Sequence, residues 1–239
     1  MMPASATSPQ WTLVIPAYNE EARLGQTLQT VLAYVQEQQL TAEILVVNDG
    51  STDGTAALVR EQFPQVRLEE NPGNRGKGYS VRAGMLSARG EWVLFSDADL
   101  STPIEELPKF EKALRDGADV VIGSRVLRGS VLEVRQPWWR ELSGRTFNLL
   151  VRFFSALPYH DTQCGFKAYQ RAAAQQIAQA QKLTGWAFDV EQLALAKKMG
   201  LRVTEVPVRW INSTASRVNM LRDAPRMLRD VIKIRWMHR

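Results

Sequence analysis

Residues 91–103 read EWVLFSDADLSTP. An apolar strand over Glu91–Ser96 is closed by two carboxylates, Asp97 and Asp99. Acidic residues after a strand can be turn chemistry alone. Two like charges at one strand end nevertheless repel unless a cation sits between them. The same layout occurs twice upstream. Strand Trp11–Ala17 (WTLVIPA) runs into Tyr18-Asn19-Glu20, and strand Glu43–Asn48 (EILVVN) runs into Asp49-Gly50-Ser51 within the turn-rich DGSTDGT. Between the first two strands, Leu24, Leu28, Val31 and Val35 recur at helical spacing, with Asn19 near the expected N-cap. A third strand is expected around Val66–Glu69, a helix over Tyr79–Ala88 and a strand over Asp119–Gly123. Thr102-Pro103-Ile104-Glu105 has the pattern of a capping box with proline at the first helical position. Strands regularly separated by helices predict an α/β fold with a mostly parallel sheet, which binds ligands at the carboxyl ends of its strands. The three acidic strand ends would then share one edge.

Composition narrows the chemistry. The chain has 239 residues with 45% apolar and 23% charged side chains, enough for a single domain with a substantial core. The lone Cys164 excludes an intramolecular disulfide and a cysteine-rich zinc site, and it reads as a buried small hydrophobe. With only His160 and His238, a multi-histidine metal site is disfavoured, and His160 reads as structural. The opening MMPASATSPQW has no signal-peptide pattern, and the apolar run at 147–158 is too short to span a bilayer and contains Arg152. A cytoplasmic protein, peripheral at the cytoplasmic membrane face, is expected. The loop NPGNRGKG at 71–78 places Arg75 and Lys77 between glycines, where backbone can approach a ligand and cations suit a diphosphate. It fits neither a P-loop nor GxGxxG, since Val81 stands at the third glycine position.

Taken in order, VIPAYNEEARL (14–24), NDGSTDGT (48–55), NPGNRGKGYSVRAGM (71–85), FSDADLSTP (95–103) and GSR (123–125) resemble the family 2 glycosyltransferases. The resemblance implies a GT-A, Rossmann-like, mostly parallel sheet flanked by helices. It implies a divalent metal, Mg²⁺ or Mn²⁺, held by Asp99 with Asp97 beside it against the nucleotide. It places Pro16, Ala17, Tyr18, Glu20, Asp49 and Gly50 around base and ribose, with Arg75 and Lys77 toward the diphosphate. Downstream, DTQCGFKAYQR (161–171), WAFDVE (186–191), VPVRW (206–210) and the basic end at 216–236 look like polyprenyl-phosphate sugar synthases, on the dolichyl-phosphate β-glucosyltransferase branch. That likeness implies a UDP-glucose donor and a polyprenyl-phosphate acceptor. It offers Arg125, Arg140 and Ser143 for the acceptor phosphate, with Asp97, Asp99 and Arg125 as the catalytic set. Asp189 and Glu191 are possible pocket residues; the alternative is a pair of helix N-terminal carboxylates. For Arg140 the alternative is a solvated helix charge. Ser101 stands where the mannosyl branch commonly has glutamine in DADLQHP.

Charge divides the chain. Residues 1–127, the expected nucleotide-sugar and metal half, carry a net −6, whereas 128–239 carry +11. Within the basic half, the acceptor segment 128–216 includes Trp138 and Trp139 beside Pro137, and the tail 217–239 alone carries +5. Met227, Leu228, Val231 and Ile232 recur at helical spacing. Both stretches suit amphipathic interface helices on an anionic membrane. Ordinary core packing under a basic face is the alternative for the tail stripe. A nucleic-acid partner is disfavoured, because no RRM, KH, zinc-finger or helix-turn-helix signature is present and the Asp97/Asp99 pair would be unexplained. GDP-mannose transfer to the same lipid, or a soluble or polysaccharide acceptor, stays open as an alternative; the oligomeric state is not legible.

Overall fold

A computed structural model describes residues 8–133, 148–211 and 220–238, with 220–223 as backbone alone. The strands are β1 (Trp11–Ala17), β2 (Ala42–Asn48), β3 (Arg67–Glu70), β4 (Trp92–Ser96), β5 (Val120–Ser124), β6 (Val131–Leu132), β7 (Phe166–Gln170), β8 (Val203–Pro207) and β9 (Arg209–Trp210). The helices are α1 (Glu21–Glu37), α2 (Thr55–Gln62), α3 (Lys77–Ser87), α4 (Leu107–Arg115), α5 (148–155), α6 (Arg171–Ala180), α7 (Phe188–Lys198) and α8 (Met220–Met237). Among the described residues the central sheet runs β3-β2-β1-β4-β7-β5-β8. It is parallel except for β7, which is antiparallel to both β4 and β5.

Helices cover both faces, so the inner strands are buried on both sides and read as continuous apolar runs, not alternating ones. One face packs Leu13, Ile15 and Leu94 against Leu24 and Leu28 of α1 and Phe110 of α4. The other packs Val14, Val93 and Phe95 against Val81 and Met85 of α3, Phe188 of α7 and Val231 of α8. From β1 the chain winds outward through β2 and β3, then returns to β4 on β1's other side. The loops after β1 and β4 therefore part, which opens a crevice at the carboxyl edge.

Several expectations shift. β7 is absent from the sequence reading. Phe166 to Tyr169 are all buried, and Lys167 in their midst hides the apolar pattern. The capping box does not form. Pro103 precedes a short 3₁₀ turn at Ile104–Glu106 without a side-chain cap, α4 begins at Leu107, and the Thr102 hydroxyl lies 3.7 Å from Cys164 Sγ. Asn19 does stand beside the N-cap of α1, which is Glu20. Asn19 adopts a left-handed backbone (φ 52°) and its Oδ1 accepts from Thr52 N–H at 2.8 Å, tying the β1 loop to the β2 loop. β8 ends at Pro207, and the short β9 that follows pairs with β6 outside the central sheet.

In α8, Met227, Val231 and Ile234 are buried, so the tail stripe packs into the core. Ile232 and Trp236 stay exposed, as do Leu149, Leu150 and Phe153 of α5. Trp138, Trp139, Arg140 and Ser143 lie outside the described residues, as does the tail before residue 220.

The odd strand is held by aromatic packing. Phe166 of β7 is buried edge-to-face on Phe110, with ring centroids 4.9 Å apart. Phe166→Ala should cost about 3–5 kcal/mol, read as a lowered urea midpoint.

Candidate active site

The carboxyl edge is assembled by hydrogen bonds between loops. Asp49, at the end of β2, is buried, and its carboxylate accepts from Asn71 Nδ2 (2.8 Å), Arg75 N–H (3.0 Å) and Gly76 N–H (2.8 Å). This carboxylate thus shapes the loop at 71–76. That loop needs glycine at 76: φ is 100°, and a Cβ there would sit 2.5 Å from the Thr184 carbonyl oxygen. The loop presents Arg75 outward, exposed, and Lys77 inward. Pro16 and Ala17 complete β1, Tyr18 is exposed at its tip, and Glu20 chelates the Arg23 guanidinium behind it. Gly50 turns the chain with φ 68°.

Lys77 Nζ lies 2.6 Å from Asp97 Oδ1, facing the rings of Phe95 (5.4 Å) and Trp186 (5.5 Å). Burial would strip the proton from this ammonium; Asp97 and Asp189 outweigh it and hold the Lys77 pKa above its ordinary value. Asp97 Oδ1 is buried and makes no hydrogen bond of good geometry, so the lysine contact is electrostatic. Asp99 uses Oδ1 to accept from Ser101 N–H at 3.0 Å, while Oδ2 stands 4.0 Å from an Arg23 nitrogen. Leu100, between them, has a left-handed backbone, φ 46°.

Beneath the cleft lies a second charge pair, in which Asp189 was named from the sequence and Lys167 was missed. Lys167 is fully buried and donates to Asp189 and to the Cys164 carbonyl. Burial pushes the Asp189 carboxyl above its ordinary range, and Lys167 and Lys77 only partly offset that. The available signal was a lysine inside GFKAYQ, an apolar strand with no room for a free charge.

Arg125 is not a free cation. Its Nε and Nη2 bind both oxygens of Asp161, at 2.7 and 2.9 Å, and its backbone N–H adds a third bond at 3.0 Å. Burial opposes ionisation of Asp161, but the Arg125 guanidinium outweighs it and holds the carboxyl below its ordinary value. Cys164 is buried beside them, its thiol pushed up to about 11 by burial and by Asp161. His160 binds Glu205 through its backbone and through Nδ1 at 2.9 Å. Asp189 and Glu191 both fall in the first turn of α7, as the helix-terminus alternative has it. Glu191 faces away from the cleft and is spent on the backbone N–H groups of Lys182 and Leu183 and on His238.

A family model described as glycosyl transferase family 2 matches residues 12–178. The chain belongs to glycosyltransferase family 2. Among its relatives, a dolichyl-phosphate beta-glucosyltransferase of Trichomonas vaginalis is 39% identical over 83% of this chain, which spans 63% of that protein. The Drosophila melanogaster dolichyl-phosphate beta-glucosyltransferase is 36% identical over 95% of this chain and 74% of its own length. The fold is that of solved GT-A glycosyltransferases. Glucosyl-3-phosphoglycerate synthase from Mycobacterium tuberculosis, crystallised with Mn²⁺, UDP and glucosyl-3-phosphoglycerate, superposes with a TM-score of 0.69 at 21% identity, over 95% of this chain and 78% of that one.

The donor set of this family 2 site suits a hard divalent cation, because Asp97 and Asp99 offer carboxylate oxygens at one turn. Among the described residues Asp97 Oδ1 and Asp99 Oδ2 both stand outside any hydrogen bond of good geometry, so each carboxylate has an oxygen left to offer. Among the described residues no three His, Cys, Asp or Glu side chains converge into a closed metal cage. An ion here would need further oxygens from a diphosphate and water.

The Arg125–Asp161 pair has a pH signature. Asp161 titrates lower folded than unfolded, so its stabilisation is complete above the ordinary value of 3.8 and is lost as pH falls through the lower folded value. Asp161→Asn should remove that acid limb from a plot of urea midpoint against pH. It should also cost about 3 kcal/mol at neutral pH, since the half-buried Arg125 then loses the charge of its buried partner.

Proposed function

We propose that this chain transfers glucose from UDP-glucose to a dolichyl-type polyprenyl phosphate, with inversion at the anomeric carbon. The observation that carries the donor half of this reading is the carboxylate pair Asp97/Asp99 facing the Lys77 ammonium at the sheet edge. The names and 32–39% identities of the relatives support the lipid acceptor and the glucosyl donor. In this reading residues 1–127 bind the donor, and residues 128–216 meet the acceptor.

A lipid phosphate oxygen is anionic at neutral pH, so the protein needs to align it rather than deprotonate it. Lys77 and Arg75 neutralise the donor diphosphate, and Asp49 acts by holding their loop in shape. Asp99, with Asp97 beside it, would hold the divalent ion, which when bound supplies Lewis-acid stabilisation of the leaving diphosphate. Arg125 sets the edge of the acceptor side, its charge already shared with Asp161. Arg140 and Ser143 remain proposed partners of the acceptor phosphate.

A membrane-bound acceptor requires a surface that meets the bilayer. Among the described residues no helix is long and apolar enough to cross a membrane. Phe153 on α5 and Trp236 on α8 are 76% and 64% exposed, and a groove between the helices is lined by Phe154, Ile232, Arg235 and Trp236. With Arg152, Arg229 and Lys233 around it, this face suits an anionic bilayer on the cytoplasmic side.

A donor panel tests the chemistry. With polyprenyl phosphate, UDP-glucose should give labelled lipid, EDTA should stop it, and Asp99→Ala should lose it while melting like the parent. Transfer from GDP-mannose alone would overturn the glucosyl assignment, and transfer only to soluble acceptors the lipid one. For the membrane face, deleting α8 is a poor test because Val231 and Ile234 belong to the core. The double variant Phe153→Glu/Trp236→Glu should fold yet lose flotation with anionic liposomes; unchanged flotation would rule this face out.

A further inference from the structure

Glu191 is fully buried, and three donors converge on its carboxylate. Oε1 accepts from Lys182 N–H at 2.8 Å and from His238 Nε2 at 2.6 Å, and Oε2 accepts from Leu183 N–H at 2.7 Å. A carboxylate only accepts, so the histidine proton sits on Nε2. His238 follows the last turn of α8, and that end is fastened twice more: Lys182 Nζ donates to the Met237 carbonyl at 2.9 Å, and Lys198 Nζ to the His238 carbonyl. Lys182 and Leu183 begin the loop between α6 and α7. The same loop forms the wall against which the donor loop is seated. The Thr184 carbonyl accepts from Tyr79 N–H at 3.3 Å and lies where a Cβ on Gly76 would be. Gln181 Nε2 donates to the Gly78 carbonyl at 2.9 Å, and the Trp186 ring lies 5.5 Å from Lys77 Nζ.

We infer that Glu191 is a positioning residue, and that through it the end of the tail helix sets the 182–186 wall and hence the placement of Lys77 for the donor diphosphate. This inference rests on the donor reading given above. The covalent chain is long, since some fifty residues separate Glu191 from His238, but the non-covalent path is short. It runs from His238 to Glu191, to the amides of 182 and 183, to Thr184 and Trp186, and to Gly76 and Lys77. Linkage makes the coupling reciprocal: anything that holds α8 in place tightens donor binding, and a bound donor holds α8. Because Ile232 and Trp236 on α8 are exposed, whatever they rest against bears on donor affinity.

His238→Ala separates the possibilities, because it removes one donor at the periphery and leaves the core intact. Two readouts are needed. The first is hydrogen–deuterium exchange of the unliganded protein, where exchange at 182–186 and at 76–80 should rise together. The second is calorimetric titration with UDP-glucose and Mg²⁺, where affinity should fall at least five-fold. His238→Gln, which keeps a donor, should restore much of both, and Lys112→Ala on the exposed face of α4 should change neither. A merely structural role for Glu191 would loosen 182–186 without moving 76–80 or the affinity, and that result overturns the inference. Coupled loosening in a protein whose parent form binds no UDP-glucose would instead overturn the donor reading and leave the mechanical coupling standing.

Discussion

Charge paired along the carboxyl edge of the sheet, half-buried or buried, is the constraint around which this molecule is arranged. Lys77 with Asp97, Lys167 with Asp189 and Arg125 with Asp161 sit side by side where β4, β7 and β5 meet. Removing either partner from such a pair leaves an uncompensated charge in a poorly solvated place, which costs far more than the intact pair contributes. Each pair joins elements distant in sequence: α3 with the β4 turn, β7 with α7, β5 with the loop before β7. The pairs therefore work as registration devices as much as sources of stability. Among the described residues they leave both Asp97 Oδ1 and Asp99 Oδ2 outside any hydrogen bond of good geometry, which is the property a metal ligand needs.

The antiparallel strand β7 makes this possible. A parallel strand at that place would bring in another carboxyl-terminal loop. An antiparallel one delivers its amino end, and with it Gly165, whose missing side chain leaves the space that the Asp97 carboxylate occupies. Gly165 N-terminal to Phe166 also accepts from Asp97 N–H through its carbonyl, at 3.1 Å. Backbone proximity, a buried lysine and an aspartate are thus packed into one turn.

The first half of the chain was legible in the sequence because its signals are local. Apolar runs ended by Asp, Asn and Gly name their own strand ends, and the loop at 71–78 announces itself by composition. What was not legible depended on distant partners. Lys167 disguised a core strand because its counter-charge is twenty-two residues away. Thr102 had every local qualification for a cap and was drawn instead to Cys164 in the core. Glu191 and Asp189 stand two residues apart on one helix, so they project in different directions, and only one faces the charge row. Met227 and Val231 have the spacing of both a membrane face and a core face, and periodicity cannot tell which apolar surface will cover them.

That last ambiguity bears on how such an enzyme can serve two phases. The donor is water-soluble and highly charged, and the proposed acceptor is held in a bilayer. A tail helix that merely floated on the membrane would carry no information to the donor site. Here α8 has one face in the core, through Met227, Val231 and Ile234, and another exposed, through Ile232 and Trp236. It is also pinned at its end to a buried carboxylate. A helix so divided transmits the position of its outer face to the core, because close-packed interiors shift as units instead of deforming smoothly. Arg229, Lys233 and Arg235, on the described part of that helix, place positive charge at its outer face.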